Sequence, residues 1–408
     1  MTVGSATPLS DVVSAEALEL PPSGSARIAL GREPDAVVAP GSVEEVVELL
    51  AWAHAAAVGV IAVGTGAHLR DRRPELPYIV LSAARLSGVE MYEPADLTLT
   101  AGAGTPLAEL AGVAGEHRQW LPFDPMDVPN RTLGGLAVAG VTGPLWALYG
   151  HVRNHVLGMT VVCGDGRTLR LGGRVVKNVA GFDLIKPMVG SRGRLAVVTS
   201  VTVRLFPVPV VDRVLVLEAA EPAALVPAAR AVATAPTLPA SIVLSFSTGA
   251  ASLLVRLHGA EDTVDADQRM LEAHAGVSFA SREGPEAEAL LATTRDAGAD
   301  AEVLLHACTL PSELGALLDL IRGTLVGVDS VVVADVAEGS ARVAFSGVAP
   351  SDVVQAVRAG AEALGGTVAV DRCPIDASPA ALSTPLSPAA REIGDGLKRL
   401  FDPGGVLL

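Results

Sequence analysis

Lys177, Asn178 and Asp183 lie in a stretch, Gly172 to Ser200, with glycines at 172, 173, 181, 190 and 193. The stretch leads into the apolar run RLAVVTSVTVRLF, which continues to Phe206. A cation, an amide and a carboxylate among residues that lack side chains suit the holding of a polar ligand against bare backbone. Three further glycine-rich turns precede it. They are VGTGAHL (Val63, Gly64, Thr65, Gly66, Ala67, His68, Leu69), TAGAGTPL, and RTLGGLAVAGVTGP with Thr132, Leu133, Gly134, Gly135, Ala139 and Gly140. At the end of a strand, successive N–H groups can form an anion nest. VGTGAHL is no Rossmann turn, because no long helix follows it in a βαβ unit. It also lacks the Gly-Lys-Ser/Thr ending of a Walker A loop. One such loop is as well explained by a tight turn. Four in one unit converge more readily on a single long, phosphate-bearing ligand.

Other polar candidates stand apart. His306 in LLHAC and Arg372 in DRCP fall in or at the end of expected strands nearer the C-terminus. A guanidinium can pair bidentately with a carboxylate, although most such residues satisfy neighbours. His117 and His151 read as surface or loop residues. Cys163, Cys308 and Cys373 are far apart and form no C-x-x-C pair, too few for an iron–sulfur cluster or a structural zinc site. Sparse, odd cysteines suit a reducing cytoplasm.

The elements that position these residues follow from composition and periodicity. A chain of 408 residues exceeds one ordinary core, so two domains are expected. Hydrophobic residues make up 50% and aromatics 3%, so alanine, valine and leucine must fill the core. The net charge of −15 opposes nucleic-acid and anionic-membrane partners. The N-terminus lacks the pattern of a secretory signal, and no run reaches the ~18 apolar residues of a membrane span. After an extension over 1–30, a first α+β unit is expected over 31–209. It includes a helix capped by Ser42 with Glu45 and ending at Gly59, and a hairpin at Asp165-Gly166. Over 210–380 the order β-α-β-β-α-β runs twice, which predicts two ferredoxin-like halves of one antiparallel sheet with helices on one face. VSFAS reads as the strand that closes the first half. REGPEAEALLATTRDAGAD, between the halves, reads as a polar connector able to hold a helix. An amphipathic helix and tail over 381–408 return to the first unit.

In the order in which they occur, these segments resemble one family. APGSVEEVVELLAWA, VGTGAHL, DLTLTAGAGTPLAEL, QWLPFDP, TLGGLAVAGVTGP, YGHVRNHVLGM, GGRVVKNVAGFDLIKPMVGSRGRLAVVTSVTVRLFP and KRLFDPGG are similar to the FAD-binding domain of the vanillyl-alcohol-oxidase/PCMH-type flavoproteins. Within it they are similar to the glycolate oxidase FAD-binding subunit, or E-subunit, branch. The match covers most of 37–209 and the tail; residues 210–380 match in layout only.

The resemblance implies a PCMH-type FAD-binding domain followed by a cap. It implies that residues 63–69 hold the FAD pyrophosphate and that Thr132 to Gly140 run along the dinucleotide. Asp124, Gly150, Arg153, Lys177, Asn178, Gly181, Asp183, Gly193 and Val197 complete the implied cofactor set, with Val197 lying against the flavin through its main chain. Departures are Arg194 for threonine, Ala196 for glycine, Asn154 for aspartate and Phe182 for tyrosine. The last two remove groups that acid–base chemistry at those positions would need. His68 is out of register for covalent attachment, so the implied FAD is non-covalent. No catalytic residue is fixed; His306, Arg372 and Lys177 are the candidates. No metal site is expected, since the histidine cluster of the D-subunit relatives has no counterpart. The implied activity is oxidation of a 2-hydroxy acid in a glycolate oxidase-like complex, with a second FAD-domain subunit and an iron–sulfur subunit as partners. A stand-alone FAD-dependent oxidoreductase of a 2-hydroxy acid or alcohol, and a non-catalytic flavin-binding scaffold, are the alternatives.

Overall fold

A computed structural model describes residues 8–14, 16–19, 33–66, 77–173, 182–348, 350–374 and 386–408. Ala67, His68, Leu69, Lys177, Asn178 and Gly181 lie outside the described residues. The first layer begins with β1 (Ala36–Val38) and α1 (Val43–Ala56). Ser42 caps α1 by accepting from Glu45 N at 3.2 Å, and Glu45 accepts in return from Gly41 N at 2.7 Å. Val46, Leu49, Leu50 and Ala53 form its buried stripe. The helix stops three residues short of Gly59, because Ala57 adopts a left-handed φ of 53° and closes it. Strands β2 (Gly59–Val63) and β3 (Tyr78–Ser82) then pair in parallel, and β3 also pairs with β1.

A second sheet is antiparallel and contains β4 (Val89–Glu93), β5 (Thr98–Gly102), β6 (Val156–Cys163), β7 (Thr168–Gly172) and β8 (Ala196–Arg204). Its order is β4-β5-β8-β6-β7. Asp165 and Gly166 turn β6 into β7, with Gly166 at φ 85°. Every residue of β8 except Arg204 is buried. Its lack of alternation follows from cover on both faces. Val197 packs with α1 and the first sheet, while Val198, Val201 and Val203 pack toward α2 (Leu107–Gly115) and α3 (Leu133–Ala139).

The third sheet has eight strands, all pairing antiparallel. Its first half is β9 (Val211–Ala219), α4 (Val226–Thr234), β10 (Ser241–Ser247), β11 (Ala250–Gly259), α5 (Glu261–Ala275) and β12 (Ala280–Glu283). After α6 (Gly284–Asp296), the second half is β13 (Val303–Cys308), α7 (Leu314–Thr324), β14 (Ser330–Asp335), β15 (Ser340–Phe345), α8 (Pro350–Ala363) and β16 (Thr367–Arg372). The strand order β12-β9-β11-β10-β14-β15-β13-β16 joins the halves through β10 and β14. One face packs under α4, α5, α7 and α8 in the largest apolar cluster. The expectation of helices on one face alone fails at α6. Ala287, Leu290 and Leu291 of α6 cover Val214, Val216 and Val243 on the opposite face. The strand expected over VSFAS begins later, at Ala280, where pairing to β9 starts. Finally, α9 (Pro388–Phe401) leads the tail back to the first layer, where Leu408 N donates to Val60 O at 3.0 Å.

Candidate active site

The exit of β2, the start of α3 and the loop Gly190–Gly193 meet with little but backbone between them. Thr132 caps α3 by accepting from Gly135 N at 3.2 Å, and a Cβ on Gly64 would stand 2.5 Å from Thr132 Oγ1. Thr65 Oγ1 donates to Asn130 O at 2.6 Å, tying the β2 exit to the approach of α3. Gly140 closes α3 at φ 71°, and a Cβ there would lie 3.0 Å from Gly190 Cα. Gly190 N and Arg192 N donate to Ala137 O and Val138 O at 3.3 and 2.7 Å, fastening the two glycine segments side by side. Only a residue without a side chain fits there. Gly134 has a different use: its missing Cβ is replaced by Ala103 at 2.5 Å, so it lets α3 pack on the end of β5. Val197 pairs with Val162 on one edge, while β5 meets β8 only from Ser200 onward. That leaves its other edge without a strand partner among the described residues. Backbone-lined approaches of this kind fit a flat, phosphate-bearing cofactor such as FAD.

Beside this cradle a cavity of about 370 Å³ lies between the first unit and the third sheet. Asp124, Arg131, Gly140, Thr142 and Trp146 form part of one wall. The opposite wall is the α6 face of the third sheet. Alternation sends Ser241, Val243, Leu254, Arg256, Val333, Asp335, Ser340, Arg342, Leu304 and His306 to it from five strands. Trp146 Nε1 donates to Asp335 Oδ2 at 2.8 Å, and Asp127 N donates to Asp296 Oδ1 at 2.7 Å, so the walls are pinned across the cavity. A third tie is Tyr149 Oη to His258 Nδ1 at 2.8 Å. His258 Nε2 stands 3.1 Å from Asp212, which also holds Arg256 bidentately at 2.8 and 2.5 Å. Trp120 and Phe206 pack edge-on against Tyr149 and complete this aromatic junction.

The electrostatics are those of a buried polar site. Burial pushes Asp335 up to about 7, against the lowering effect of the Glu338 N–H and Trp146. Burial likewise raises Asp124 to about 6, opposed by the Leu145 N–H, Arg256 and Arg295. Burial alone would discharge His306. Its neighbour Cys308, at 3.9 Å, together with Asp371 and Glu338, instead raises it to about 9. Burial works against charge on Asp212 too, but Arg256 and His258 hold it well below the usual carboxylate range. Carboxyls that titrate near neutrality beside guanidinium groups are a common feature of sites that bind acids and move protons.

The sequence candidates divide into groups. Asp124, Ala139, Gly140, His306 and Arg372 line the cavity. Val63, Gly64, Thr65, Gly66, Thr132, Leu133, Gly134, Gly135, Gly193 and Val197 gather around the adjacent cradle. Gly193 faces Ala62 of β2 at 3.7 Å. Gly150, at φ 87°, lies against Asn154 instead. Arg153 is exposed, and Asp183 is exposed and paired with Lys186 at 3.7 Å. His151 is no bystander, since it lines the cavity and stacks on Trp146 at 4.9 Å. The residues that sequence reading missed are Arg131, Arg256, Asp335 and Arg342. A signal was available for Arg256 alone, which with His258 alternates with the buried Val255 and Leu257 of β11.

Residues 34–172 match a protein family described as the FAD binding domain. The chain is 41% identical over 123 residues to the glycolate oxidase subunit GlcE of Escherichia coli, covering 30% of this chain and 35% of that one. It is 35% identical over 190 residues to a D-lactate dehydrogenase of Archaeoglobus fulgidus, covering 46% of this chain and 42% of that one. It therefore spans less than half the length of these curated relatives. Among solved structures, p-cresol methylhydroxylase with substrate bound superposes with a TM-score of 0.71 at 16% identity, over 94% of this chain and 90% of that one. Residues 34–172 thus match the FAD binding domain, the chain shares its fold with p-cresol methylhydroxylase, and its sequence is similar to the glycolate oxidase subunits.

Proposed function

We propose that the chain is an FAD-dependent oxidoreductase subunit acting on a 2-hydroxy acid, with residues 31–209 binding the cofactor and 210–380 serving as its cap. The observation that carries this reading is the cavity, which has the glycine cradle beside it and guanidinium groups and buried carboxyls on its walls. Bound FAD supplies the acceptor for the two electrons and hydrogen that leave the carbinol carbon. The chain's own residues do the rest. Guanidinium groups on the cap wall receive the substrate carboxylate. The Asp335 carboxylate takes the hydroxyl proton as the 2-oxo acid forms, a role that suits a group titrating near neutrality. Trp146 fixes that carboxylate through its indole N–H and walls the site from water. Val63 to Leu69 and Thr132 to Gly140 would hold the dinucleotide, with Arg153 meeting a phosphate, Lys177, Asn178, Gly181 and Asp183 beside the flavin, and the flavin bound non-covalently.

Membership of a hetero-complex is part of the proposal. It is supported by the likeness to a protein named as a subunit, and by the high apolar content, since permanent hetero-complexes bury apolar surface. The partners are a second FAD-domain chain and an iron–sulfur chain. Reconstitution from separately expressed chains tests it: dye reduction driven by glycolate should require all three. If this chain alone, FAD-loaded and monodisperse, turns over as fast as the mixture, the complex is wrong.

A further inference from the structure

The tail that follows α9 is built around one buried carboxylate. Asp402 is 2% exposed and accepts from Val406 N at 3.0 Å and Leu407 N at 2.8 Å. Lys398, one turn back on α9, places its Nζ 2.5 Å from Asp402 Oδ2. The turn between β6 and β7 closes over this group so tightly that a Cβ on Gly164 would collide with the Asp402 carboxylate. The same turn fixes the end of α9: Gly164 N donates to Phe401 O at 3.0 Å, and Arg167 Nη2 donates to Leu400 O at 2.9 Å.

The tail reaches the glycine cradle at two places. Val60 N donates to Val406 O at 2.7 Å, so with the Leu408 bond the tail lies along β2, the strand whose exit opens the cradle. Val406 and Leu407 are buried in the same apolar cluster as Val197 of β8. The second place is polar. Lys398 Nζ donates to Arg194 O at 2.8 Å, and also to Leu407 O. An ammonium has three donors, and here its acceptors lie on the end of α9, on the tail and beside the cradle loop. Arg194 directly follows that loop, which α3 holds through Gly190 N and Arg192 N. Arg192 and Gly193 between these anchors have φ values of 58° and 73°. A left-handed arginine is strained and persists only where its neighbours over-determine it. Lys398 is the anchor on the far side.

We propose that Lys398 is a positioning residue for the cofactor, and that α9 with its tail is a strap that holds the cradle in the form that receives FAD. The strap acts on the Gly190–Gly193 loop through Arg194 O and on the β2 exit through Val60. This rests on FAD lying in the cradle and adds the part of the chain, about 200 residues further on, that shapes it. The coupling is reciprocal: whatever docking of the strap adds to FAD affinity, bound FAD adds to docking of the strap.

The test is titration of the flavin-stripped full chain with FAD, beside hydrogen exchange of the 402–408 amides with and without FAD. Lys398→Met removes the donors from an unbranched side chain and should weaken FAD binding about tenfold or more. Lys398→Arg, which keeps charge and donors, should recover part of that loss. A purely structural lysine would lower the urea midpoint equally with and without FAD. A positioning lysine also shrinks the rise in midpoint that a fixed FAD concentration produces. In the parent, FAD should slow exchange at Val406, Leu407 and Leu408 severalfold. Parental FAD affinity in Lys398→Met, or tail exchange that ignores FAD, overturns the strap and leaves the cradle standing. If Lys398→Met does not fold, exchange in the unaltered chain decides alone. A parent chain that binds no FAD removes the cradle and the strap together.

Discussion

Asp335→Asn should reverse its effect on stability between acid and alkaline pH. Asp335 is 9% exposed, and burial raises its carboxyl from 3.8 to about 7. A folded value above the unfolded one means that ionisation opposes folding. The cost is absent below about pH 4, grows as the pH rises to about 7, and is constant above. A rise from 3.8 to about 7 corresponds to roughly 4 kcal/mol at the plateau. Asparagine removes that cost but adds another. Both carboxylate oxygens accept N–H groups, from Glu338 N at 3.0 Å and Trp146 Nε1 at 2.8 Å, so the amide nitrogen must face one donor. The lost bond costs roughly 1–2 kcal/mol at any pH. The variant should therefore be roughly 2–3 kcal/mol more stable than the parent at pH 8, and roughly 1–2 kcal/mol less stable at pH 4. Urea unfolding followed by tryptophan emission, run at both pH values on both proteins, gives the comparison. A difference of the same sign and size at pH 4 and pH 8 would refute the raised carboxyl, and with it the choice of Asp335 as proton acceptor.

Two predictions concern the cradle. Gly66→Val, at a φ of 80°, and Gly135→Val, beside the cap hydroxyl of Thr132, should each lose FAD while the eight-stranded sheet still unfolds as a unit; full flavin occupancy in both would remove these loops from the site. Acid precipitation of the purified chain should send all flavin into the supernatant, because His68 is out of register for attachment, and colour kept in the pellet would show a covalent bond.

What the sequence showed, it showed through local rules. Ser42 with Glu45 announces a helix start because two residues suffice to satisfy its first N–H groups. The run of glycines before β8 announces close backbone approach, because Gly140 against Gly190 tolerates nothing larger. Doubling of the β-α-β-β-α-β pattern was readable because each pass keeps its own periodicity. What stayed hidden depends on which distant surfaces meet. Asp335 closes the apolar strand SVVVAD and looks like a strand end until Trp146, 189 residues away in sequence, is seen against it. Arg342 lies in an ordinary alternating strand, and only the placement of α6 on the far face shows that its side chain points into a cavity. Gly134 read as cofactor space, but Ala103 fills that space, since a close helix–strand contact and a ligand contact ask for the same residue.

The visible absorption spectrum of the purified chain is the deciding measurement, because substrate oxidation depends on FAD lying in the cradle formed by β2, α3 and the Gly190–Gly193 loop. A flavin spectrum with one FAD per chain, retained through gel filtration, is expected. A colourless chain that stays colourless after incubation with FAD and gel filtration would contradict it.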